Sequence, residues 1–163
     1  MILYQIDTIQ LTLTLVLAKN MKDIEQRYQS LLGKESDYLE RERRKEYEHL
    51  FDDLARQGMV RADLHTEQAL ELEVKFMQCF TEYAIAQYRA LKNYSQSDMN
   101  MLERMYRNEI NSFFGRSLQR MLGIISNVRG SVTATYAQEF LEEVKSHALQ
   151  ALETAKAEKT GGI

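Results

Sequence analysis

The chain has no proline, no tryptophan, one cysteine and seven glycines in 163 residues. A β protein of this length needs many tight turns, and tight turns recruit proline and glycine. Their scarcity argues against a turn-rich fold and for a few long helices. Cys79 stands alone, so no internal disulfide is possible, and a reducing, cytoplasmic setting is the expectation. A large charge excess is also missing: the formal net charge is −3 and the isoelectric point is near 5.7. Nothing in that balance attracts nucleic acid phosphates or an anionic membrane surface.

What is present is an ordinary globular mixture, 44% apolar and 28% charged. One all-α domain over residues 1–159, with 160–163 as a frayed tail, is the reading. The segment Ile9 to Ala18 is apolar, but no Lys or Arg precedes it and Asp7 sits at its edge, unlike a signal peptide. It is also too short for a bilayer, which takes roughly 20 residues. Ile9, Leu11, Leu13, Leu15 and Leu17 alternate as in a strand, yet a lone strand has no partner here. Over the longer window Ile2, Ile6, Ile9, Leu13, Leu17, Ile24, Tyr28 and Leu31 keep helical spacing.

The seams and stops predict about five helices, over 2–32, 36–57, 65–92, 98 to at least 122, and 131–158. Gly33 reads as the stop of the first and Gly58 as the stop of the second. Within the second, the run from Glu40 to Glu46 mixes both signs three to four apart, the pattern of a solvated face. The third is apolar nearly all round through Val74, Phe76, Met77, Phe80, Tyr83 and Ile85. The fourth carries two apolar stripes, one through Leu102, Tyr106, Ile110 and Phe113, the other through Met105, Phe114 and Leu118. Helices with arcs this wide lie at a centre or at an interface.

Catalytic chemistry finds little to work with. Glu46 and His49 form one Glu-x-x-His pair, the spacing that puts two metal ligands on one helical face. A carboxylate-bridged site needs a second pair. Neither His65 nor His147 supplies it, since Glu143 lies four residues before His147 rather than three. No metal and no cofactor is expected. Cys79 sits in the most apolar stretch, which predicts a buried, inert thiol. Asp52-Asp53 and Glu142-Glu143 are neighbours on helices, so each pair points in two directions. With no glycine-rich phosphate loop either, the chain reads as no enzyme and no catalytic residue is assigned.

Binding is the better prospect. Met77, Met105, Tyr83, Tyr88 and Tyr106 lie on the two wide-arc helices. Flexible thioethers with phenolic hydroxyls would suit a small apolar ligand. Packing explains the same residues. The stretch from Glu46 to Leu64, with its helix ending at Gly58 and an acidic cap at Asp63, resembles the C-terminal regulatory domain of TetR-type transcriptional regulators. Phe113-Phe114-Gly115-Arg116-Ser117-Leu118 is similar to the end of that family's last helix, and the resemblance covers about 40–122. His65-Thr66 stands where the family often has Asp-Pro, and 124–163 extends past the family's usual end. Its DNA-binding helix-turn-helix is absent, so no direct nucleic acid binding is implied.

The resemblance implies a homodimer built from 65–92 and 98–122 and an effector cavity in each subunit. Its interface would hold Phe76, Phe80, Phe113, Phe114 and Leu118. The competing class is a helical protein-interaction module with an exposed apolar groove. A cavity among the Met and Tyr side chains favours the first; a filled core beside a long groove favours the second.

Overall fold

The computed structural model describes residues 2–59, 63–91, 94–128 and 132–160, those before Lys22 and Thr160 by their backbone alone. Four helices make up the fold: α1 Ile2–Arg56, α2 Asp63–Ala90, α3 Gln96–Asn127 and α4 Ala134–Thr160. No strand occurs among the described residues, and Ile9 to Leu17 is helical. No helix among them is long and apolar enough to cross a membrane.

Two of the five expected helices are therefore one. Gly33 does not stop α1. A glycine inside a helix costs only about 1 kcal/mol, and packing on both sides offsets it. Leu32, Ser36 and Leu39 are all buried and continue one seam across the glycine. The seam reads as broken in the sequence because its middle member is a serine. Ser36 accepts a hydrogen bond from Arg116 Nη2 at 2.7 Å, which satisfies it inside the bundle. The real stop is Gly58, in the left-handed region with φ of 70°, followed by Met59 N donating to Leu54 O at 2.8 Å.

The other boundaries follow local chemistry. Ser95 and Asp98 form a reciprocal capping box that starts α3 two residues before the expected position. Thr133 Oγ1 accepts from Tyr136 N at 3.1 Å at the entry to α4. Helix α3 runs on to Asn127, in keeping with an expected end at 122 or beyond. Thr160 closes α4, and the rest of the expected tail lies outside the described residues.

Helices α2 and α3 form the centre. They run antiparallel in a register fixed by three facing pairs about two turns apart: Glu73 with Arg120, Phe80 with Phe113, and Tyr88 with Tyr106. The phenylalanine rings stack with centroids 4.6 Å apart and planes within 7°. Helices α1 and α4 each pack on both central helices and do not touch one another through described residues. This placement explains the wide apolar arcs. Phe76, Phe80, Phe113 and Phe114 are buried inside one chain, and Leu118 is half-buried against the same core. The arc that suggested pairing with a second copy is covered by α1 and α4.

Two further expectations need correction. Cys79 is exposed, because it lies on the outer side of α2 between the buried Met77 and Phe80. The charged run of α1 is solvated only in part. Lys45 pairs with Glu42 and Lys75 with Glu46 at the surface, but Glu40 and Arg43 turn toward the bundle.

Candidate functional site

The residues marked for an apolar ligand take up the core. Met77, Tyr88, Met105 and Tyr106 are buried, and Tyr83 is half-buried. The rings of Tyr88 and Tyr106 meet edge to face at 5.4 Å. Burial pushes the Tyr106 phenol well above its ordinary range, and Tyr28, Tyr83, Tyr88 and Tyr94 add to the shift. The tyrosines thus gather where α1, α2 and α3 meet, with Tyr28 and Tyr94 hydroxyls 3.4 Å apart. Neither the Tyr88 nor the Tyr106 hydroxyl has a hydrogen-bond partner among the described residues. None of these five candidates lines the hollows described below.

A hollow of about 500 Å³ opens at the other end of the α2–α3 pair. Tyr47 and Phe51 come from α1, His65 from the first turn of α2, and Arg120, Gly123, Ile124, Asn127 and Val128 from the end of α3. His65 is buried, and its Nε2 shares a hydrogen bond with Tyr47 Oη at 2.8 Å. Phe51 meets the imidazole edge to face at 6.2 Å. Burial pushes the Tyr47 phenol up, and the Glu73 carboxylate adds to this against the opposing Arg43, so the hydroxyl stays protonated. Asn127 Nδ2 donates to Gly123 O at 2.7 Å, which turns that amide back on its own helix. The walls are otherwise apolar.

Behind one wall lies a charge cluster joining three helices. Glu73 is 1% exposed. It accepts from Arg120 Nε at 2.9 Å, from Arg120 Nη2 at 2.8 Å and from Arg43 Nη1 at 3.2 Å. Arg120 Nη1 reaches Glu40 at 2.9 Å, and its Nη2 also reaches Ser117 Oγ at 3.0 Å. Burial alone would raise the Glu40 carboxyl, but the Arg120 and Arg43 guanidiniums more than offset this and hold it below its ordinary value. Burial likewise opposes the charge on Arg120, and Glu73 and Glu40 outweigh it. With Arg116 also on Glu40, three guanidiniums stand against two carboxylates. The cluster carries a net positive charge, and Arg120 is the member that reaches the hollow.

The sequence reading missed this cluster. Its signal was there: Glu73 occupies a core position between Leu70 and Phe76, and Arg120 follows Phe113 and Ser117 on a buried stripe. The Glu46/His49 pair does not converge. Glu46 is engaged by Lys75, and His49 is exposed. No group of three or more potential metal ligands occurs among the described residues.

A second feature runs between α2 and α4. These helices are parallel, with each α2 residue beside the α4 residue 69 positions on, as Arg89 and Glu158 show with paired bonds of 3.0 and 3.1 Å. Two hollows of about 410 and 350 Å³ follow one another along this seam, from Tyr136 to Ala151 on the α4 side. No protein family, curated protein or solved structure matches the chain.

Proposed function

We propose that the chain is a non-catalytic helical binding domain, regulatory in role, whose site is the hollow closed by Tyr47, His65 and Arg120. Its ligand is a small, largely apolar anion, such as an aromatic or branched carboxylate or sulfonate. The observation that carries this reading is the pairing of apolar walls with one charged lining residue, Arg120, that belongs to a net-positive cluster. Apolar walls supply the burial energy and a few placed polar groups fix orientation. The Tyr47–His65 pair offers a hydrogen-bonding edge at the same wall. This keeps the small-effector chemistry that the TetR-like resemblance implies, but moves it from the core tyrosines to the end of the bundle.

The probe for this reading is 1-anilinonaphthalene-8-sulfonate, an aromatic anion whose fluorescence rises in apolar surroundings. A Cβ added at Gly123 meets nothing within 4 Å, and Gly123 lines the hollow, so Gly123→Leu fills it without disturbing the helix. Saturable binding of one probe per chain is expected in the native protein and its loss in Gly123→Leu. The neutral analogue N-phenyl-1-naphthylamine should bind about tenfold more weakly, the worth of one hydrogen bond to a charged group. Equal probe fluorescence from Gly123→Leu and the native protein would overturn the assignment.

A further inference from the structure

Arg120 brings charge to the hollow at Tyr47 and His65, but its donors are already committed. A guanidinium has five N–H groups. Arg120 gives Nε and one N–H of Nη2 to Glu73, the other N–H of Nη2 to Ser117 Oγ, and Nη1 to Glu40 Oε1 at 2.9 Å. Among the described residues only the second N–H of Nη1 is left over. An anion in the hollow is therefore not gripped by the paired N–H fork that makes arginine–carboxylate contacts strong. It meets one N–H and the field of the cluster behind it.

That field is a small difference between opposing charges, and two residues near solvent decide it. Glu40 and Arg116 have side chains 25% and 43% exposed, against 2% for Glu73. Arg116 Nε donates to Glu40 Oε1 at 3.4 Å, the same oxygen that Arg120 Nη1 uses. Arg43 Nε donates to the other oxygen, Oε2, at 3.3 Å. Arg116 is held in place by Ser36 Oγ, which accepts from Nη2 at 2.7 Å, and by the Phe113 ring, 5.3 Å from its guanidinium carbon. Neither Glu40 nor Arg116 lines the hollow.

We propose that Glu40 and Arg116 set the preference of the hollow for anions from outside it. Glu40 is an internal anion that a ligand competes with for Arg120 Nη1. Arg116 is the counter-cation that shares Glu40 and leaves the cluster one positive charge in excess. The inference rests on the hollow being the anion site. Without Arg116, two guanidiniums face two carboxylates and the surplus is gone. Without the Glu40 charge the surplus doubles, and the whole of Nη1 returns to a ligand. Both changes leave the apolar walls alone, so a neutral ligand gains and loses nothing.

The test measures Kd for 1-anilinonaphthalene-8-sulfonate and for N-phenyl-1-naphthylamine in the native chain and three variants, each checked for folding by circular dichroism. Arg116→Gln is expected to weaken the anionic probe about fivefold and Glu40→Gln to tighten it by a similar factor, the effect of one partly screened unit charge. Arg116→Lys, which keeps the charge without the fork, should bind the anion as the native chain does. The neutral probe should bind all four proteins alike, and the anionic differences should shrink as salt rises. A cluster that only ties helices together would shift the melting midpoint and leave the ratio of the two affinities unchanged, and that result overturns the proposal. So do shifts of the same sign in Arg116→Gln and Glu40→Gln. If charge dependence is missing while Gly123→Leu still abolishes binding, this inference alone falls. If binding ignores Gly123→Leu, the site falls and the inference with it.

Discussion

Glu73 of α2 and Arg120 of α3 meet through two parallel hydrogen bonds, at 2.9 and 2.8 Å, where the bundle would otherwise be apolar. Charges in such a place cost desolvation energy, which good geometry and additional partners offset. Arg43 and Ser117 are those partners. The pair also fixes register: sliding α3 by one turn would leave both charges unanswered.

Arg120→Ala is therefore expected to cost about 3 kcal/mol, since it strands the Glu73 carboxylate with Arg43 alone. Replacing both members, Glu73→Leu with Arg120→Met, should cost much less than the two single changes combined. Urea unfolding followed by circular dichroism gives the cycle. If the two single changes simply add, the two residues are not coupled.

Acid and alkali should each weaken the fold, through different groups. Arginines hold the Glu40 carboxyl below 4.5, and Lys156 with Arg107 does the same for Glu103, in each case against the opposing effect of burial. The folded chain then binds fewer protons than the unfolded one. This stability is complete above the ordinary carboxylate range and is lost as pH falls through the lowered values. Burial raises the phenols: Tyr28 is pushed up to about 12 from 10.0, with the hydrogen bond to Tyr94 adding. Their stabilisation is present below pH 10 and lost above it, because the unfolded chain ionises first. Urea midpoints from pH 3 to 11 should trace a plateau with both shoulders, and Glu40→Gln should flatten the acid one.

Tyr106→Phe is expected to stabilise the chain by about 1 kcal/mol. The hydroxyl is buried with no hydrogen-bond partner among the described residues, so its removal relieves a desolvation cost and leaves the ring in place. Tyr88→Phe should act in the same direction. A loss of more than about 1 kcal/mol on thermal unfolding would mean that these hydroxyls have partners in solution.

Gly33→Ala is expected to raise stability by about 1 kcal/mol, through helix propensity and a narrower unfolded ensemble. A Cβ there meets nothing, and the backbone needs no positive φ. A drop in the melting midpoint would show that α1 bends or ends at that residue.

The helices could be read from the sequence because their cause is local. Periodicity along Leu102, Tyr106, Ile110 and Phe113 points to one face whatever packs on it, and Gly58 stops α1 by its own conformation. Gly33 has the same chemistry and a different outcome, decided by Ser36 and Leu39 packing on other helices, which no local window contains. The wide arcs of α2 and α3 correctly implied two covering surfaces. Whether a cover belongs to the same chain is a matter of topology, and pattern does not carry it. The site was less legible still. Glu40, Arg43, Glu73 and Arg120 come from three helices, and in sequence the first two are indistinguishable from their solvated neighbours. The hollow at Tyr47 and His65 exists only once α1 has folded back on α2.

The separation of α1 from α4 dictates an order of assembly. Each outer helix rests on α2 and α3 together and has no seat until those two have met. Their meeting needs only the short connection after Leu91 to close, a small loss of chain entropy. Folding should begin with that hairpin, with Phe80 and Phe113 structured early and Leu32 and Leu152 late, as φ-values at these positions would record. The two ends then dock as separate events, in either sequence. Local opening of α1, which would open the hollow at Tyr47 and His65, leaves α4 standing on α2 and α3.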